Sequence, residues 1–66
     1  MTLYYVNNQA QDTGEHEVHT ADCLFFPDDN RYLGEFPNCH PAVEKAQEIY
    51  SQADGCKFCC EDCHSG

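Results

Sequence analysis

Four of the six cysteines of this 66-residue chain fall within eight positions, as Cys56-Lys57-Phe58-Cys59 and Cys60-Glu61-Asp62-Cys63. A chain this short buries only about 60% of the surface its unfolded form exposes, and apolar burial roughly cancels against chain entropy at this size. Something beyond a greasy core has to hold it. The 41% hydrophobic fraction counts those cysteines, and the large apolar side chains are thinly spread. The cysteines are therefore the staple, and the length allows one domain, residues 1–66.

A Cys-x2-Cys turn aims both sulfurs at one ion at about 2.3 Å while loop amides face the thiolates. Tetrahedral zinc then needs two more donors. His19-Thr20-Ala21-Asp22-Cys23 is the best upstream pair, since a strand exit followed by a turn brings His19 and Cys23 onto the same ion. The expected site is His19, Cys23, Cys56 and Cys59, one zinc closing a long loop, with metal binding coupled to folding. Cys39, His16, His40 and His64 compete for the fourth position. A second ion on Cys60, Cys63 and His64 is a further option, with solvated or redox-active thiols as its alternative. Adjacent side chains at Cys59 and Cys60 are expected to diverge, leaving Cys60 and Cys63 exposed beside Glu61 and Asp62.

The rest of the chain reads as α+β. Leu3-Tyr4-Tyr5-Val6 and Glu15 to Thr20 form a hairpin across the turn-rich Asp12-Thr13-Gly14. On the return arm His16 and Val18 share one face, and Glu17 and His19 the other. Leu24, Phe25 and Phe26 form an apolar plug within a loop. Arg31 to Phe36 is a short third strand, weakened by Gly34. Asn38 caps one amphipathic helix over about 39–53, on which Ala42, Val43, Ala46, Ile49, Tyr50 and Ala53 recur at helical spacing. Gly55 then closes that helix in a left-handed conformation, a Cys-x2-Cys knuckle follows, and residues 60–66 are a mobile tail.

Twelve acidic against three basic residues give a formal charge of −9, which argues against nucleic acid, because phosphate binding draws its affinity from several Lys and Arg contacts. No apolar run has the roughly 18 residues of a membrane span, and the N-terminus lacks the basic flank and apolar core of a signal peptide. A cytoplasmic, reducing setting is expected, where close cysteines hold metal more often than they form disulfides. In an oxidising compartment the same six cysteines would read as a disulfide framework.

His19-x3-Cys23, Asn30-Arg31, Phe36, a helix beginning near Cys39 with Ala42, Glu44 and Ala46, and Gly55-Cys56-x2-Cys59 together resemble the Ada metal-binding domain. The pattern is also similar to short bacterial proteins in which that module stands alone. It runs from about Thr20 to Cys59, roughly two thirds of the chain. In the Ada domain four cysteines hold zinc, and the first of the Cys-x3-Cys pair accepts a methyl group from DNA phosphotriesters. His19 stands at that acceptor position here, so the resemblance implies fold and metal while the repair chemistry is not expected. The expected function is a zinc-stapled binding module, not an enzyme, that contacts another protein. The alternatives are thiol redox chemistry or metal handling on Cys60, Cys63 and Cys39.

Overall fold

The computed structural model describes residues 1–65. Its strands are β1 (Thr2–Asn7), β2 (His16–Thr20), β3 (Asn30–Phe36) and β4 (Ala53–Gly55); the helix α1 (Cys39–Gln47) and a 3-10 turn (Glu61–Cys63) complete it. The fold is α+β, one four-stranded sheet in the order β3-β1-β2-β4 with α1 packed on it.

The expected hairpin is β1 against β2, antiparallel, pairing Tyr4 with Thr20, Tyr5 with His19 and Val6 with Val18. Because strand side chains alternate, this register puts Tyr4, Val6 and Val18 on one face and Tyr5 and His19 on the other. The first face packs with Leu33, Ala42, Val43, Ala46 and Ala53 in the core. On β3 the register shifts between Tyr4 and Tyr5, so that their partners are Gly34 and Tyr32 and Leu33 is the extra residue. Gly34 adopts φ +127°, a region L side chains rarely enter. The glycine that weakens β3 in a sequence reading is thus what lets the strand bulge and seat Leu33 in the core.

Asn38 caps α1 as expected, its Oδ1 accepting from the His40 amide at 3.0 Å. The helix ends at Gln47, six residues before the sequence-based boundary. Ile49 and Tyr50 continue only as turns, with both amides donating to the Ala46 carbonyl. Tyr50 then stacks on His16 with ring centroids 3.8 Å apart, and its hydroxyl donates to Asn8 Oδ1 at 2.9 Å. Those contacts turn the chain so that Ala53–Gly55 runs parallel to β2, His16 opposite Ala53 and Val18 opposite Gly55.

Gly55 therefore lies in a strand and is not a left-handed helix terminator. It is demanded by space: a Cβ there would sit 2.7 Å from the Cys60 carbonyl oxygen and 2.7 Å from the Cys63 Cβ. The supposed tail is packed as far as residue 65. Cys60 is 2% exposed, Cys63 is joined to Cys39 by a disulfide, and Ser65 donates to the Asp54 carboxylate. Gly66 lies outside the described residues. Leu24 and Phe25 are likewise no plug, since both are exposed and only Phe26 turns inward, edge-on to Tyr5 with centroids 5.0 Å apart. No helix among the described residues is long and apolar enough to cross a membrane.

Candidate metal centre

Each donor is positioned by an element end. His19 is on β2, on the face opposite Val18, and is 2% exposed. Cys23 follows two turns downstream: the Ala21 amide donates to the Leu3 carbonyl and the Cys23 amide to that of Thr20. Cys56 is the residue after β4, its amide donating to the Val18 carbonyl at 2.9 Å, which fixes the knuckle beside the exit of β2. The Cys60 amide donates to the Cys56 carbonyl at 3.0 Å and closes the knuckle around Cys59. The parallel pairing of β4 with β2 is thus what carries Cys56 and Cys59 to His19 and Cys23.

One ligand atom from each of His19, Cys23, Cys56 and Cys59 lies within 4.8 Å of all the others. The Cys23 and Cys56 sulfurs are 3.9 Å apart, as are the Cys59 sulfur and His19 Nδ1. In a tetrahedron with metal–sulfur bonds of about 2.3 Å and metal–nitrogen bonds of about 2.0 Å, those edges are about 3.8 and 3.5 Å. The donor set has the spacing of a tetrahedral metal site. Backbone amides are aimed at three of the sulfurs: Thr20 N–H donates to Cys59 Sγ at 3.3 Å, Phe25 N–H to Cys23 Sγ and Phe58 N–H to Cys56 Sγ, each at 3.5 Å. Sulfurs that accept amide protons are placed to carry negative charge.

Without a cation that charge is disfavoured. Burial pushes the Cys23 thiol up to about 12 and the Cys59 thiol up to about 11. Burial also lowers His19, against the opposing pull of the Glu17 carboxylate. A divalent ion bound here would displace the protons that burial holds on Cys23 and Cys59. His19 turns Nδ1 toward the sulfurs, while Nε2 faces Glu17 Oε1 at 3.6 Å, the side from which a carboxylate orients a metal-bound histidine.

Of the other candidates for the fourth ligand, Cys39 is bonded to Cys63, His40 lies outside this donor group, and His16 and His64 are hydrogen-bonded to the backbone. His16 Nδ1 donates to the Asn7 carbonyl, and His64 Nδ1 donates to the Gly55 carbonyl, both at 3.0 Å. Cys60, Cys63 and His64 do not assemble as a second site, because Cys63 is bonded to Cys39 and His64 is tied to β4. Cys60 is not an exposed thiol either: it is buried with its sulfur 3.9 Å from that of Cys59, so the two adjacent side chains converge. Burial raises its thiol above the ordinary range. The role of Glu17 was legible in the alternation of β2, which puts it on the His19 face. The Cys39–Cys63 pairing, 24 residues apart, has no local sequence signal.

Compared with family models, with curated proteins and with solved structures, the chain matches none of them.

Proposed function

We propose that the chain is a zinc-stapled binding module of Ada-like type, in which one ion on His19, Cys23, Cys56 and Cys59 welds the exit of β2 to the exit of β4. The observation that carries this reading is the mutual 4.8 Å spacing of an imidazole and three sulfurs from two distant segments. Four protein donors leave no position for water, which suits a structural ion and not a catalytic one. The test is titration of the metal-free chain, its Cys39–Cys63 bond intact, with Co(II). One equivalent of tetrahedral cobalt with intense sulfur-to-metal charge transfer is expected, lost in Cys23→Ala. Octahedral cobalt, or an unchanged spectrum in Cys23→Ala, would exclude this ligand set.

The ion also braces a surface. Leu24 is 95% exposed, Phe25 56% and Phe58 66%, and the Phe25 and Phe58 rings pack against each other at a 30° tilt with centroids 4.6 Å apart. These residues sit on the two loops that supply the sulfurs, so a bound ion holds the patch together. Asp22 lines the hollow beside Leu24, Phe25 and Phe58, and Glu61 and Asp62 line the one beyond Phe58. An apolar anchor flanked by basic side chains complements both features, whereas a second copy of this chain brings the same −9 charge and is repelled. The partner proposed is a basic polypeptide segment. A Phe-Leu peptide flanked by lysines is expected to shift the amide resonances of residues 22–25 and 57–59 in a salt-dependent way, and Phe58→Ser to weaken it at least tenfold. Equal binding of the same peptide flanked by glutamates would refute charge complementarity.

A further inference from the structure

A second group of donors lies outside the four-donor centre. Cys39 and His40 open α1, Cys63 ends the 3-10 turn, and one ligand atom from each falls within 4.8 Å of the other two. The two sulfurs are bonded to one another, with Cα atoms 6.3 Å apart. We propose that Cys39, His40 and Cys63 form a redox-gated second metal site, shut while the sulfurs are joined and able to take a thiophilic divalent ion once they are reduced.

The gating follows from the chemistry of sulfur. In the disulfide neither sulfur carries charge, and only the His40 imidazole remains as a strong donor. Reduction by a thiol of the glutathione class breaks the Cys39–Cys63 bond: two R–SH supply two electrons and two protons and leave as R–S–S–R, and the protein gains two thiols. A divalent ion then displaces both thiol protons to solvent and binds two thiolates and one neutral imidazole. The sulfurs need only part to the roughly 3.8 Å edge of a zinc tetrahedron, which rotation about the Cα–Cβ bonds accomplishes. His40 is exposed, so the ion has an entry path. It opens on a groove shared by Glu44, Asp62, Cys63 and His64, whose carboxylates favour a cation.

The two sites differ in kind. Four protein donors close the first, whereas three donors leave the second with a position for water or for the Asp62 carboxylate, the arrangement of an exchangeable ion. The chain would then hold a permanent ion and a labile one, the second present only under reducing conditions. Nothing in this inference depends on the four-donor centre.

The experiment is zinc stoichiometry by elemental analysis after dialysis of the full chain against low micromolar zinc, once with the disulfide intact and once with a phosphine reductant. The wild type is expected to hold one equivalent oxidised and two reduced. His40→Ala, at an exposed position that leaves the core untouched, is expected to hold one in both states. Cys39→Ser and Cys63→Ser should match it. One equivalent in the reduced wild type, or two in reduced His40→Ala, would overturn the second site while leaving the first. Zinc bound only after reduction and lost in His40→Ala would uphold it and sink the four-donor reading instead.

Discussion

Chelation of the metal from the reduced chain is expected to abolish the cooperative thermal transition and to reduce the far-ultraviolet circular dichroism to that of an unfolded chain, with full recovery on adding one equivalent of zinc. The core consists of Val6, Val18, Leu33, Val43, Tyr4 and a set of alanines and cysteines. A core of this size supplies no more than about 3–5 kcal/mol, whereas structural zinc contributes about 10–16 kcal/mol of apparent folding free energy at neutral pH. With the Cys39–Cys63 bond intact the cross-link retains about 3 kcal/mol, so a residual transition is expected there and none after reduction. A reduced chain that melts identically with and without chelator would remove the metal from the account of stability.

The residual metal-free fold has its own pH window. His19 is lowered by burial from 6.5, so the unfolded chain takes up a proton first on acidification, and stability is lost as pH falls below about 6.5. Cys23 and Cys59 are raised by burial from 9.0 to about 12 and about 11, so the folded chain keeps protons that the unfolded chain releases. Stability therefore also falls as pH rises from about 9 toward those values. Maximum folded signal in the oxidised, metal-free chain is expected between about 6.5 and 9. Zinc bound at these sulfurs, which requires them deprotonated, is expected to remove the alkaline loss. Circular dichroism against pH, with and without zinc, reads both limbs.

Gly55→Ala is expected to be the most damaging single substitution away from the ligands. The added methyl would meet the Cys60 carbonyl oxygen and the Cys63 Cβ, both at 2.7 Å, and neither is the free end of a flexible side chain. Relief requires β4 to part from the turn that follows it, which displaces Cys56 from Val18 and Cys63 from Cys39 together. Overpacking costs about 1–3 kcal/mol in an ordinary core, and here the same shift also moves Cys56 within the candidate donor set. Zinc affinity should fall at least tenfold, with the thermal midpoint lower by 10 °C or more, both measurable by competition with a chromogenic chelator and by calorimetry. Gly14→Ala is the control: its added Cβ would meet only the end of the Gln52 side chain, and its cost is the positive φ of a turn. A Gly55→Ala chain that binds zinc like the wild type would show that the close approach is relieved cheaply.

Local chemistry made some of this readable. A β-rich run, a turn cluster and an alternating arm give β1 and β2, and Asn38 before an apolar helical stripe gives the start of α1, because these signals act between near neighbours. The pairing within each half of the candidate metal site was readable for the same reason, since Cys-x2-Cys and His-x3-Cys are each local turns. The end of α1 was not. Ile49, Tyr50 and Ala53 continue a helical stripe, but Tyr50 gains more by stacking on His16 and hydrogen-bonding Asn8, which are distant in sequence. Gly55 was read as a helix terminator for want of β4, and residues 60–66 as a tail for want of the Cys39–Cys63 bond.

By itself the sequence determined a small α+β fold with cysteines and histidines spaced so that they can turn toward one ion, because length limits the core and spacing limits which donors come together. Only the tertiary structure decided which donors meet. The parallel pairing of β4 with β2 sets Cys56 and Cys59 beside His19 and Cys23, and the packing of the last turn on α1 gives Cys63 to Cys39 and not to His64. Those choices depend on contacts between segments far apart in the chain, whose closure is favourable only when the whole sheet forms.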